Sequence, residues 1–415
     1  MVIEFTSCAS EYHKRLGLAT CSARFPTFTI MKQVQFDMIA KTLFGLEQIL
    51  ENELKLLGAT SVKQGVRSVR FSGDAGFLYK ANLCCRTALR ILKPIYFDQV
   101  KTADSYYHSL SRLPWENFMT LDMRFSIRVT QSVPMFRNTM FAAQRAKDAL
   151  VDRFRKRLGK RPDVGREDPD ITFFIHISPK GMEVSLDSSG APLNQRGYRT
   201  ETNIAPINEV LAAGLVFLSG WKQTTPFLDP MCGSGTILIE AAMQACNIPS
   251  QINRKQFAFQ RWKDYDDELF GTIREAMLNR VKECFVPFIG YDKAPSAVRK
   301  AQQNIAAANL SDYISIQRRD FFKTTKEHPE QDLLILTNPP YGERLTVDPI
   351  DFYKRMGDTF KQHYPNTEVW MITASMEGLK SFGLRTSRKI KLFNGKLESR
   401  LVYYPIFESP SQKSP

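Results

Sequence analysis

The run Leu333-Leu334-Ile335-Leu336-Thr337 ends on Asn338-Pro339-Pro340-Tyr341-Gly342, and this junction constrains the chain more than any other. A short continuous apolar run reads as a strand buried on both faces, the kind found in parallel sheets covered by helices. Two successive prolines have no N–H to donate and a fixed φ, so the strand must stop there on a stiff turn. Such a turn has a chemical use. The exocyclic amine of a nucleobase is a poor nucleophile because its lone pair is delocalised into the ring. The Asn338 amide oxygen and the Pro339 carbonyl can accept its two N–H groups, with Pro340 stiffening the turn, and aim the lone pair at an electrophile. Tyr341 can stack on a base taken out of its helix. Asn338, Pro339, Pro340 and Tyr341 are therefore the candidate catalytic residues, acting by alignment without a metal or a covalent intermediate.

The segments around this strand alternate. Phe227–Asp229, Phe288–Asp292, Ile314–Arg318 and Glu368–Thr373 read as further strands. Thr236–Cys246, Ser296–Asn309 and a segment near Phe352–His363 read as helices. Strand–helix alternation predicts a doubly wound, Rossmann-like α/β domain over residues 189–408. Its end differs: Arg388–Phe393 and Ser399–Phe407 flank Asn394-Gly395, a hairpin signal.

Three loops at strand ends could hold a ligand. Asp229-Pro230-Met231-Cys232-Gly233-Ser234-Gly235-Thr236 follows an apolar strand and opens a helix, and its close glycines let a ligand approach the backbone. It lacks the lysine of a nucleotide P-loop, and Leu238 occupies the place of the third small residue of a dinucleotide fingerprint. Asp292, ending Gly290-Tyr291-Asp292, can accept from ribose hydroxyls. The distance from the glycine loop to Asp292 exceeds the usual spacing, which makes residues 247–285 an insertion, with Phe257, Phe259 and Trp262 as core or substrate contacts. Asp320 can accept from an adenine amino group, with Phe321 against the ring.

The N-terminal half reads differently. Gln35–Ala40 and Val66–Phe71 are predicted strands, and Gly45–Leu57 is an amphipathic helix stopped by Gly58. Asp74–Arg90 is predicted as a second helix. Strands follow at Arg124–Thr130, Ile171–Ser178 and Met182–Asp187, with a helix over Met140–Leu158 between them. The apolar side of that helix is Ala146, Leu150, Val151, Phe154 and Leu158. Its other side carries Arg145, Lys147, Arg153, Arg155, Lys156 and Arg157, and the run continues through Lys160 and Arg161. Ser188–Pro192 reads as a linker into the second half.

Charge says what this helix could meet. The chain has a formal net charge of +14, and residues 124–166 hold twelve Lys and Arg against three Asp. A surplus gathered in one segment favours a polyanion, nucleic acid before anionic membrane. Arg145, Arg153, Arg155, Lys156, Arg157, Lys160 and Arg161 are the expected RNA-binding residues, through phosphates. The longest apolar stretch, Val210–Leu218, is too short to span a membrane. Seven cysteines without a C-x-x-C pair predict neither a disulfide framework nor a metal site, as in a reducing cytoplasm. Residues 1–30 lack a clear period and are expected to be a disordered or non-native extension, and 409–415 a tail.

Taken together, Gln195-Arg196-Gly197-Tyr198-Arg199, Ala205-Pro206-Ile207-Asn208-Glu209, the Asp229–Thr236 loop with Glu240, Asp292, Asp320 and Asn338–Leu345 resemble the class I S-adenosylmethionine (AdoMet)-dependent N2-guanine RNA methyltransferases. Residues 74–188 are similar to a THUMP RNA-binding domain, preceded over 31–73 by a ferredoxin-like layer. The combination resembles the bacterial RlmL type. The resemblance implies AdoMet as cofactor, held by Arg199, Ala205, Pro206, Asp229, Met231, Gly233, Gly235, Thr236, Asp292, Asp320 and Asn338. It implies a guanine N2 of 23S ribosomal RNA as target; the sequence leaves the oligomeric state open, with a monomer favoured. Asn194-Gln195 departs from the Leu-His-like pair of the family pattern. The second methyltransferase that follows in some relatives is expected to be absent. Two other functions share these motifs: methylation of adenine N6 on DNA or RNA, and a silent RNA-binding ribosome-assembly factor.

Overall fold

A computed structural model describes residues 34–165, 167–199, 207–340 and 347–408. The predicted extension and tail, together with Ala205, Pro206 and Tyr341, lie outside the described residues.

One seven-stranded sheet runs through the whole N-terminal half. It contains β1 (Phe36–Lys41), β2 (Thr60–Gly65), β3 (Ser68–Gly73), β4 (Arg90–Asp98), β5 (Phe125–Gln131), β6 (Ile171–Ser178) and β7 (Gly181–Asp187), in the order β2-β3-β1-β4-β7-β6-β5. β4 pairs with β1 on one side and β7 on the other, so it joins the two modules that the sequence suggested. Helices α1 (Glu47–Leu57), α2 (Ala75–Cys84), α3 (Ala103–Arg112) and α4 (Thr139–Leu158) connect the strands.

The predicted helix Asp74–Arg90 is shorter. Asp74 caps it by accepting from the Phe77 N–H (2.7 Å), it ends at Cys84, and Arg90 opens β4. β4 carries no clear strand signal because Pro94 interrupts it; the ladder absorbs the missing donor with a register shift between Pro94 and Tyr96. β2 escaped notice because it exposes nearly every residue and has no apolar alternation. α4 matches its expected span, starting on an Asn138 cap and stopping at Gly159 in the left-handed region (φ 66°). Ala146, Leu150, Val151 and Phe154 are buried as expected, but Leu158, on the final turn, is exposed.

The second half is also a seven-stranded sheet: β8 (Phe227–Asp229), β9 (Phe288–Asp292), β10 (Ile314–Arg318), β11 (Leu333–Thr337), β12 (Thr367–Thr373), β13 (Arg388–Asn394) and β14 (Leu397–Ile406). The order is β10-β9-β8-β11-β12-β14-β13. The strands are parallel from β10 to β12 and antiparallel in the closing hairpin, as expected. Helices α5 (Glu209–Ser219), α6 (Thr236–Ala245), α8 (Pro295–Ala307), α9 (Pro349–His363) and α10 (Met376–Ser381) accompany them, and α7 (Asp267–Leu278) lies in the insertion. α5 had no visible period because it is apolar almost all round and buried on nearly every side. Strand order reverses between β8 and β11, and ligands of doubly wound sheets bind in the crevice at that switch point.

The two halves interlock. Leu46, ahead of α1, belongs to the core of the second half, and a Cβ on Gly214 of α5 would stand 2.6 Å from its side chain. In return the insertion packs into the core of the first half. Phe257, Phe259 and Trp262 are buried there, with Phe259 stacked on Tyr79 (4.5 Å between centroids). They are core residues and not substrate contacts. Among the described residues no helix is long and apolar enough to cross a membrane, and no disulfide forms.

Candidate active site

The ends of β8, β9 and β11 bring three of the predicted loops together. Asp229 closes β8 and is buried; its Oδ1 accepts from the Thr337 hydroxyl at the end of β11 (2.8 Å) and from the Met231 N–H (3.2 Å). Thr337 was not singled out from the sequence, although a polar residue ending an apolar strand is a usable signal. Burial pushes the Asp229 carboxyl up to about 7, against the two hydrogen bonds.

The glycine loop then turns past Asp292. Gly233 and Gly235 both adopt positive φ (55° and 78°), a conformation that disfavours any residue with a Cβ. Gly233 donates its N–H to Asp292 Oδ2 (3.1 Å), and Ala294 donates to Oδ1 (2.9 Å). Burial raises this carboxyl as well, with those two N–H groups acting in the opposite direction. Gly290 makes the approach possible, since a Cβ there would lie 2.5 Å from Ile316 and 2.6 Å from Leu238. The long spacing in sequence between loop and acid is therefore closed in space.

Thr236 begins α6 and is met by Arg199 from the linker. Arg199 Nη2 donates to Thr236 Oγ1 (3.1 Å) and to the Ile207 carbonyl (3.1 Å), and its Nε donates to Glu209 Oε1 (2.7 Å). Nη1 is buried and has no partner among the described residues. Glu209 holds Arg199 in place, a role the sequence did not suggest.

Beneath this, Arg196 and Tyr198 face inward. Arg196 Nε donates to Glu240 Oε1 (3.2 Å), both side chains being fully buried, and the Tyr198 hydroxyl donates to the same oxygen (3.0 Å). Arg196 also donates to the Leu193 carbonyl (2.8 Å) and the Arg86 carbonyl, so the motif anchors the linker to α6 and to the first half.

Asp320 caps a short 3-10 turn by accepting from the Phe322 N–H (3.2 Å). Phe321 turns away from the crevice. It is buried against Phe360 (4.8 Å between centroids) and Tyr364 (5.7 Å), which corrects the expectation that it would face a ring. Phe322 beside it stays half-buried. At the end of β11, Pro339 is buried, and Asn338 holds its Oδ1 buried without a hydrogen-bond partner among the described residues. A buried carboxamide oxygen normally has a donor, so this one marks a place where a donor belongs.

The basic face of α4 divides in two. Arg153 is spent on structure. Its Nε and Nη2 donate to Glu116 (2.8 and 2.6 Å), and Nη1 donates to the carbonyls of Ser111 and Arg112. Arg157 pairs with the same carboxylate, which Arg153 above all holds down at about 2. Arg153 therefore fastens α4 to the turn that carries Glu116 and is withdrawn as a phosphate ligand. Arg145 lies over the Tyr107 ring (4.6 Å) beside Asp104. Arg155, Lys156, Lys160 and Arg161 are exposed.

Family profiles match all three regions: an RMKL-like methyltransferase domain over 196–402, an RlmL ferredoxin-like domain over 37–92 and a THUMP domain over 100–187. A protein of Synechocystis sp. with the provisional name RNA methyltransferase is 33% identical over 92% of this chain and 98% of its own length. The chain belongs to the RMKL-like methyltransferase family. The ribosomal RNA large subunit methyltransferase K/L of Cellvibrio japonicus is 35% identical over 87% of this chain. The chain spans about half the length of the K/L relatives it matches, 50% in that case. Among solved structures, SMU.472, a provisionally named methyltransferase complexed with SAH, superposes with a TM-score of 0.80 at 29% identity, covering 91% of this chain and 100% of its own.

Proposed function

We propose that this protein transfers a methyl group from AdoMet to the exocyclic N2 amine of a guanine in 23S ribosomal RNA. The observation that carries the reading is Asn338 Oδ1, buried at the end of β11, next to β8 and its glycine loop, with no partner among the described residues. AdoMet, when bound, supplies a methyl group made electrophilic by its sulfonium. The chain's own residues bind and aim. The loop Asp229–Thr236 takes the cofactor against its backbone, Asp292 accepts from its ribose hydroxyls, and Asp320 accepts from its adenine amine. Met231, Gly233, Gly235 and Arg199 complete the enclosure. The left-handed glycines and the close-packed Gly290 fit such a ligand, because they leave the loop backbone bare where it would be approached.

Asn338 Oδ1 and the Pro339 carbonyl accept the two N–H groups of the target amine, and Pro340 keeps the acceptors in register. Most of the acceleration is then orientation. The roles of Tyr341, Ala205 and Pro206 extend the same reading to residues outside the described ones. Ribosomal RNA as substrate draws on the names of the K/L relatives and on the THUMP match. Guanine N2 over adenine N6 draws on the RlmL-type resemblance, since the acceptor pair suits either amine.

The test is methyl transfer from labelled AdoMet to 23S rRNA by the full chain, with nucleosides identified by mass spectrometry. N2-methylguanosine is expected. N6-methyladenosine would transfer the activity to the adenine reading, and absence of label with RNA still bound would leave an assembly factor.

A further inference from the structure

A cleft of about 530 Å³ opens between the halves, and the reaction outlined above does not use it. One wall is the linker, the other the insertion from Asn253 to Arg261, and Asp168 and Pro169 of the first half close one end. Asp229, Gly233, Asp292 and Asn338 do not line it, so it is separate from the methyl-donor crevice. Among the described residues Arg199 joins the two: it lines the cleft while its Nη2 donates to Thr236, the first residue of α6. At the other end the chain arrives from Lys160 and Arg161, the exposed basic continuation of α4.

Its lining holds five Arg and Lys against two carboxylates, Asp168 and Glu209. Two lining side chains carry buried nitrogens without acceptors among the described residues, Asn253 Nδ2 and Arg199 Nη1. Lys255 adds an exposed ammonium at the rim. Arg254 and Arg261 bring further positive charge, but their N–H groups are committed. Arg254 donates to the carbonyls of Ser189, Ala191 and Pro192, and Arg261 to Asp168 and the Pro169 carbonyl. They stiffen the walls. Gly197 (φ 95°) lets the linker pass so near the insertion that a Cβ would stand 2.4 Å from the Asn253 carbonyl. Rigid walls, unsatisfied donors and net positive charge ask for a ligand that only accepts and is anionic. A phosphodiester is that ligand: it has no donor of its own, and charge-assisted bonds to it are strong. The volume falls within the roughly 300–1,000 Å³ typical of small-ligand sites, room for a nucleotide unit.

We propose that this cleft seats a backbone phosphate, with its nucleotide, of the RNA strand that carries the target base. The inference rests on the RNA methyltransferase reading and adds to it a positioning site outside the α4 face. Asn253 and Lys255 hold the phosphate, and Arg199 couples its seat to the start of α6.

The experiment uses the full chain with 23S rRNA. It compares Asn253→Ala and Lys255→Glu with Lys361→Glu, an equally exposed charge reversal on α9. Each cleft variant is expected to raise the RNA Kd and KM about tenfold while AdoMet affinity and kcat stay within about twofold of wild type. Lys255→Glu should also make the dependence of log Kd on log salt shallower by roughly 0.7–0.9, one phosphate contact. Lys361→Glu should do neither. Lys255 is exposed, so its variant decides the matter if Asn253→Ala proves unstable. RNA binding unchanged in Lys255→Glu, or a loss matched by Lys361→Glu, overturns the proposal, as does a parallel loss of AdoMet affinity. A wild-type protein that methylates no RNA breaks the parent reading, and this one falls with it. Wild-type activity with unaffected cleft variants breaks the cleft alone.

Discussion

At the seam between the halves, Arg196 sets its guanidinium against Glu240, the Leu193 carbonyl and the Arg86 carbonyl, with Tyr198 completing the carboxylate. At the end of β11, Asn338 leaves its Oδ1 buried and without a partner among the described residues. Both regions bury polar atoms, and they answer the same energetic problem in opposite ways. A buried polar atom without a partner costs about 1–3 kcal/mol, and an unpaired buried charge costs more. Around Arg196 the seam avoids that cost, its guanidinium being met by Glu240 and two carbonyls, although Arg86 Nη1 beside it is buried without a partner among the described residues. At the end of β11 no donor among the described residues offsets it, as the proposal of an acceptor kept for the target amine requires.

The seam should show the largest effect on stability. Glu240→Leu strands Arg196 in a fully buried position and is expected to cost about 3–5 kcal/mol, read as a lowered denaturant midpoint. Combining it with Arg196→Met should recover much of the loss, because an apolar pair needs no partner. A single variant as stable as wild type would end the contrast from the seam side.

The catalytic edge should show the reverse pattern. Asn338→Ala is expected to lower methyl transfer roughly 10²–10³-fold, about 3–4 kcal/mol of transition-state stabilisation, with RNA binding and the melting temperature retained. If the variant instead melted early and kept its kcat, Asn338 would belong with the seam.

Asp229, at the neighbouring strand end, is buried and held by the Thr337 hydroxyl and the Met231 N–H. Its folded carboxyl titrates at about 7, whereas an unfolded aspartate titrates at roughly 3.9. The folded state therefore binds more protons between those values. Stability from this group is complete below the unfolded value and is lost as pH rises towards the folded one. Between pH 6 and 7.5 the loss is about 1 kcal/mol, visible as a falling denaturation midpoint. Asp229→Asn should remove that slope, and a slope of the same size in the variant would assign it to other groups.

Legibility followed burial pattern. β8, β9 and β11 could be bounded from sequence because mostly buried strands read as short apolar runs. The glycine loop, Asp292 and Asn338 could be found because they sit at the ends of those runs. β4, broken by Pro94, could not, and neither could the all-apolar α5. Phe321 and Phe322 are adjacent aromatics, and only the packing against Phe360 decides which is core. The Arg196–Glu240 pair spans 44 residues and involves no local pattern, so its motif was recognisable while its physical role was not.

The smallest effect concerns the outer face of α4, where the same contrast recurs among neighbouring arginines. Arg153 is buried for the most part and tied to Glu116, whereas Arg155 and Lys156 point outward. Charge along the helix cannot separate them, because helical position decides which side each takes. Arg155→Glu with Lys156→Glu is expected to weaken RNA binding several-fold and flatten its salt dependence, with the melting temperature nearly unchanged. Arg153→Ala should do the opposite, lowering the melting temperature while RNA affinity holds. Equal RNA losses from the two would mean that α4 acts through its overall charge, and unchanged RNA binding in the double variant would make its outer face a solvated surface.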